Sequence, residues 1–217
     1  GHDAPTLYAL LIALEKLDFD LVHKLRRFGG LPGHPDVGTP FIAANTGSLG
    51  MGISKAYGMA RAKRFANRQG RVVVMTGDGE LQEGQIWESL QPCANEQLSE
   101  IIVIVDHNKL QSDSAVSAVS DLGAIEEKFR VFGWEVARAD GHDLRAVKEI
   151  FARFDRVGDK PKVLIADTIK GKGVSFMEGL ACGDATYHFH AGAPSLKDYL
   201  AAVDELTVRI NAALAAS

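Results

Sequence analysis

Four short runs of β-branched and apolar residues constrain this chain more than anything else in it. They are Val72 to Thr76, Ile101 to Asp106, Trp134 to Ala139, and Lys162 to Thr168. Each is nearly continuous in its apolar character rather than alternating, the pattern of a strand buried on both faces. Between them lie segments with apolar residues at spacings of three and four, Glu83 to Asn95, Asp121 to Val131 and Asp143 to Arg156, which predict helices. Strand and helix in alternation predict one open α/β domain, a parallel sheet with helices on both faces, over the whole of residues 1–217. Asp143 is the expected N-cap of its helix and Gly133 the expected stop of the one before. Further helices are predicted at Pro5 to Leu17, Phe19 to Arg27, Met51 to Asn67 and Ser195 to Ala213, with a Gly/Pro-rich loop from Phe28 to Ser48.

Composition narrows the function classes. Lys and Arg number 24 against 28 Asp and Glu, a net charge of −4, so no basic excess calls for nucleic acid or an anionic membrane. The longest apolar runs fall far short of the roughly 20 residues a membrane span needs. Two cysteines, Cys93 and Cys182, make no disulfide framework, and a reducing, cytoplasmic setting is the expectation. The 22 glycines suggest loops that come close to a ligand.

In open α/β sheets ligands bind beyond the carboxyl ends of the strands. Two such ends carry oxygen ligands. GDGELQEGQIWES runs from Gly77 to Ser89, and VDHNKLQSD from Val105 to Asp113. Asp78 and Asn108 stand 30 residues apart, about one βαβ step, so a carboxylate and an amide oxygen fall at adjacent strand ends. That pair, with phosphate oxygens and water, suits Mg²⁺ or Ca²⁺. The glycines around Asp78 let backbone approach a diphosphate, and a helix starting near Glu83 would offer free N–H groups to it. Gly-Asp-Gly alone fits a simple strand-to-helix turn equally well; the pairing with Asn108 is what narrows it.

These two segments resemble the thiamine diphosphate-binding motif of transketolases, and the resemblance extends over almost the whole chain. Gly1-His2 with Leu7-Tyr8, Leu31 to Pro35 (LPGHP), Thr46 to Gly52 (TGSLGMG), Ala139 to Asp143 (ADGHD), Thr168 to Gly173 (TIKGKG) and His190 to Pro194 (HAGAP) follow the family's motifs in order. Glu83-Gly84 with Trp87-Glu88 favours transketolase over the deoxyxylulose-phosphate synthases and the 2-oxoacid dehydrogenase alpha subunits. The family often has Gly where Ser114 stands here, a departure that leaves the ligand positions intact.

The resemblance implies roles residue by residue. Asp78 and Asn108 would hold the metal through side chains and Leu110 through its carbonyl. Gly79 would meet the diphosphate, with Gly77 and Glu80 completing that wall, while Gly47 and Leu49 would line the aminopyrimidine side. Glu83 and Glu88 would join a carboxylate network crossing a dimer interface; on charge alone they are an ordinary polar helix face. Of the seven histidines, His34 and His2 would stand at the reacting centre, and His190 or His188 near the diphosphate and the substrate hydroxyls. Imidazole suits that proton traffic near neutral pH. His142 fits a family position and a structural role equally well. Lys170 and Lys172 fit a phosphate contact or a solvated turn. His23 reads as surface, Cys93 as core, Met75 and Trp87 as core or interface packing, and His107 as turned away from the metal loop.

The implied activity is transfer of a two-carbon ketol unit from a ketose phosphate to an aldose phosphate, as in pentose phosphate metabolism, with thiamine diphosphate and Mg²⁺ (or Ca²⁺). The pyrimidine half of the cofactor site would come from a C-terminal, pyrimidine-binding subunit in a heterotetramer, or from the rest of a longer chain. The helical segment that usually precedes the Gly-His, with a further histidine, has no counterpart before Gly1. Two other readings remain: a related ketol or acyl transfer on an unusual sugar, and a subunit that only supports assembly. A plain dinucleotide-binding domain does not fit, because no G-x-G-x-x-G follows a strand.

Overall fold

The computed structural model describes residues 1–179 and 186–215; Cys182 lies outside the described residues. Four parallel strands form the central sheet: β1 (Val72–Gly77), β2 (Ile101–His107), β5 (Glu135–Asp140) and β6 (Lys162–Asp167), in the order β1-β2-β6-β5. A two-residue hairpin, β3 (Leu110–Gln111) and β4 (Ser114–Ala115), follows β2. The helices are α1 (Ala4–Ala13), α2 (Gly52–Phe65), α3 (Gly84–Asn95), α4 (Val116–Val119), α5 (Ile125–Val131), α6 (Leu144–Phe154) and α7 (Leu196–Ala215).

Successive strand residues point to opposite faces and fill two different cores. Ile101, Val103, Val105, Val163 and Ile165 pack with Ile53 and Ala56 of α2, Ile86, Leu90 and Cys93 of α3, and Ile125 and Phe129 of α5. Ile102, Leu164, Ala166 and Ala137 pack with Phe154, Val147, Ile150 and Phe151 of α6. The helices that carry the chain from β1 to β2 and from β2 past β6 to β5 share one face; α6, which brings it back, lies on the other. Right-handed crossovers require that division. On the α6 side the sheet is covered unevenly. Val73 and Met75 of β1 are 51% and 58% exposed, so Met75 is no part of the core.

The sheet and the last helix follow the sequence expectation, and Asp143 caps α6 by accepting from the Arg145 and Ala146 amides. Gly133, at φ +84°, ends the α5 segment as expected. Elsewhere the expectation needs correction. Phe19 to Arg27 is not an α-helix: a 3₁₀ turn covers Phe19–His23. The chain then folds back, the Arg26 amide donating to the Leu31 carbonyl and the Leu31 amide to Lys24 (2.7 and 3.0 Å). The first helix stops at Ala13 rather than Leu17, because Glu15 takes a left-handed φ of 55° and the Lys16 amide returns to the Leu11 carbonyl. The α5 segment starts at Ile125 rather than Asp121. The Asp121 side chain instead accepts from Gly123 N–H in a turn with Gly123 at φ +58°.

The register brings Gly77 beside Asp106, His107 beside Asp167, and Asp140 beside Asp167. Four strand ends thus deliver polar residues to one edge of the sheet.

Candidate active site

At the end of β1 the chain turns immediately into a 3₁₀ turn, Gly79–Gln82, with Asp78 as its cap. The Asp78 carboxylate is 1% exposed. Its Oδ1 accepts the Gly79 amide (2.7 Å) and its Oδ2 the Lys109 amide (2.5 Å). The second bond crosses from β1 to the loop after β2, the juxtaposition that the spacing of Asp78 and Asn108 predicts. Burial pushes the Asp78 carboxyl above its usual range, and the two amides oppose that shift. A cation placed against it would offset the burial.

Asn108 is fixed at both ends. Its Nδ2 donates to Asp106 Oδ2 and its Oδ1 accepts the Leu110 amide, both at 3.0 Å. An amide oxygen has two lone pairs, so Oδ1 keeps one for a ligand. Lys109 takes a left-handed φ of 68° between Asn108 and Leu110. A carboxylate, an amide oxygen and the Leu110 carbonyl are hard oxygen donors of the kind Mg²⁺ or Ca²⁺ takes. Among the described residues no cluster of three or more His, Cys, Asp or Glu side chains could hold a metal. A metal here therefore depends on this mixed oxygen set. Two further features suit a bound group. A Cβ on Gly79 would lie 2.6 Å from Gln111 Cβ, and Gln111 Oε1 is a buried acceptor without a partner.

A second loop is tied onto the Gly-Asp-Gly turn. Glu80 directs Oε1 to the Gly50 amide (2.8 Å) and Oε2 to the Gly77 amide (3.3 Å). A Cβ on Gly50 would lie 2.8 Å from Glu83 Cβ, so the Gly47-to-Gly50 loop presses on the start of α3. The Thr46 amide donates to the Pro35 carbonyl (3.0 Å), which brings the His34 loop alongside. Gly47, at φ +118°, leaves room for the His34 ring: a Cβ there would stand 2.8 Å from His34 Cγ. The His2 and His34 rings are 5.1 Å apart. Leu49, two residues after Gly47, is 40% exposed.

The third wall comes from beyond β6. Lys170 is half-buried, and burial lowers its ammonium from the ordinary lysine value against the opposing carboxylates of Asp106, Asp78 and Asp3. His190 is held below the usual imidazole value by burial, then by Lys170 and by His2, with Asp113 opposing. His190 therefore shares one electrostatic neighbourhood with Lys170, His2 and Asp113. His190 and His188 both keep an exposed face. Glu83 caps α3 without a side-chain hydrogen bond, and both it and Glu88 are exposed. Lys172 is drawn away to Glu178 (3.2 Å). His107 is engaged laterally, its Nδ1 2.8 Å from Asp167 Oδ1.

Sequence reasoning passed over two residues. Asp106 holds both Asn108 and the Thr168 hydroxyl. Gln111 packs against Gly79. A carboxylate two residues before a ligand at a strand end was the available signal for Asp106.

Fold and site together define an open α/β domain that gathers oxygen ligands for a cation and a lysine at its strand ends, where ligands of such sheets bind. Residues 1–198 match the family model described as transketolase, thiamine diphosphate binding domain. An apulose-4-phosphate transketolase subunit from Phocaeicola vulgatus is 35% identical over 97% of this chain and 73% of its own length. The 6-deoxy-6-sulfo-D-fructose transketolase subunit of a Clostridium species is 39% identical over 82% of this chain and 66% of its own. A transketolase structure from Pichia stipitis superposes with a TM-score of 0.80 at 26% identity, over 94% of this chain and 30% of that one. The chain belongs to the transketolase family, through its thiamine diphosphate binding domain. Transketolases are transferases, and this chain spans only part of the length of each of these relatives.

Proposed function

We propose that this chain is the metal- and diphosphate-holding half of a transketolase, moving a two-carbon ketol unit from a ketose to an aldose. Its pyrimidine half would come from a partner subunit, two copies of each forming a heterotetramer. The observation that carries the reading is the Asp78 carboxylate bonded across to the Asn108–Leu110 loop at 2.5 Å. That bond sets a carboxylate, an amide oxygen and a carbonyl at two neighbouring strand ends, where Mg²⁺ would clamp a diphosphate.

Thiamine diphosphate, when bound, supplies the carbanion chemistry that neither protein half possesses. The chain's own residues bind, orient and move protons. Asp78, Asn108 and Leu110 hold the cation; Lys170 adds positive charge on the same side. His2 and His34, with ring centroids 5.1 Å apart at the Gly47 loop, would take and return protons of substrate hydroxyls. His190, held toward its neutral form, is ready to accept one.

Two relatives are named for unusual sugars, one for apulose-4-phosphate and one for 6-deoxy-6-sulfo-D-fructose. That favours an uncommon anionic sugar over the standard pentose phosphates, and a donor and acceptor panel with the partner present separates them. The central test is cofactor binding by calorimetry in the two-subunit complex. Asp78→Ala and Asn108→Ala are each expected to abolish Mg²⁺-dependent binding. Undiminished affinity in both overturns the site; absence of any cofactor heat in the parent complex favours a purely assembly-supporting role instead.

A further inference from the structure

In the Asp140-to-Asp143 turn the imidazole of His142 reaches out of the turn to another segment. Asp143 caps α6, and Asp140 Oδ1 accepts the His142 amide at 2.8 Å. The His142 ring turns toward the chain leaving β6. Its Nε2 accepts the Ile169 amide at 2.9 Å. One residue earlier in the turn, the Gly141 amide donates to the Asp167 carbonyl at 2.7 Å. From the other side the Thr168 amide donates to the His107 carbonyl at 3.3 Å. The turn can sit this close because residue 141 is glycine: a Cβ there would lie 2.6 Å from Thr168 Cγ2 and 3.0 Å from Ala166 Cβ.

The sheet register ends at Asp167. A side chain thus accepts the Ile169 amide where a neighbouring strand would have supplied a carbonyl. The next residue is Lys170, whose ammonium stands over the Tyr187 ring, 5.4 Å from its centroid, within the field of the Asp106, Asp78 and Asp3 carboxylates. A lysine stem has four rotatable carbons, so its reach is set by where its backbone is anchored. We infer that His142 is a positioning residue for Lys170: its Nε2, accepting the Ile169 amide, anchors the segment that aims the ammonium at the diphosphate end of the site. The bond needs the ring with its proton on Nδ1, since a doubly protonated imidazole has no acceptor. This inference rests on the cofactor-binding reading above.

The test measures thiamine diphosphate affinity, with Mg²⁺, in the complex of this chain and its partner subunit. His142→Phe keeps a ring and removes the acceptor; affinity is expected to fall about 3- to 10-fold, the range one hydrogen bond commands. His142→Gln, which returns an oxygen to the Nε2 position, is expected to recover most of that loss. In a Lys170→Met background His142→Phe is expected to add nothing, because the two residues act as one unit. Additive losses in the double variant, or no rescue by Gln, overturn the inference and leave His142 a part of the scaffold. Asp78→Ala, measured beside them, separates the two failures. If it abolishes binding while His142→Phe has no effect, only the positioning role is wrong; if it too has no effect, the cofactor site itself is wrong.

Discussion

Gly47 shows how little latitude the site leaves a single residue. Its φ of +118° lies where side chains are strained, and a methyl group there would meet the His34 ring at 2.8 Å. Gly47→Ala is therefore expected to cost about 1–3 kcal/mol and to displace His34. Melting temperature and cofactor affinity should fall together. Asp78 and Asn108 were legible in the sequence because two strand ends one βαβ step apart fall side by side wherever consecutive strands pair. The bond from Thr168 to Asp106, and the choice between a phosphate contact and a solvated turn for Lys170, were not. Both depend on β6 lying against β2, an insertion that strand order in the sequence does not reveal. Gln111 was hidden for a different reason. Its buried oxygen faces Gly79 only once the β3–β4 hairpin has formed, and two-residue strands leave no periodicity to read.

At the scale of elements, the core beneath the site hangs on α5. Phe129 is fully buried, with ring centroids 5.7 Å from Trp87 and 5.8 Å from Trp134. Phe129→Ala should destabilise by roughly 3–5 kcal/mol, the usual cost of an aromatic-sized cavity. That is a large part of a typical stability margin, read as a shift of the urea midpoint. Trp134 gives the same packing a polar anchor, its indole N–H donating to the Leu90 carbonyl at 3.1 Å. β2 and β6 were legible because a strand buried on both faces is apolar throughout, and β1 because its run of valines is apolar even though one of its faces is bare. The Phe19-to-Arg27 segment misled because its apolar spacing matches a helix. Its conformation is decided by the turn around Gly29 and the return to Leu31, a tertiary contact. A smaller effect belongs to α6: Asp143→Ala removes a cap satisfying two amides and should cost about 1 kcal/mol.

Across the whole molecule, three strand ends and a helix are tied by charge. Arg138 of β5 forks onto Asp167 of β6 at 2.7 and 2.8 Å and reaches Glu126 of α5 at 3.0 Å, while Asp167 also meets His107 of β2. The Arg138 guanidinium, with His107 assisting, holds the Asp167 carboxyl down at about 2. An unfolded aspartate titrates near 3.9. The stabilisation is therefore complete above that value and is lost as pH falls toward 2. The side chain is 35% exposed, so solvent screening keeps the effect modest. Urea midpoints taken between pH 5 and pH 2 should fall less steeply for Asp167→Asn than for the parent; identical slopes would remove the network from the account of acid stability.

The bare half of β1 has a consequence for handling the protein. This strand stands at the end of the sheet order, and Val73 and Met75 look outward from it. An open strand edge beside two exposed apolar side chains is a template on which further chains can add. Kept alone at high concentration, the chain is expected to scatter light well below its melting temperature. Val73→Thr with Met75→Lys, which leave the first core and the strand-end loops untouched, should raise the concentration at which turbidity begins.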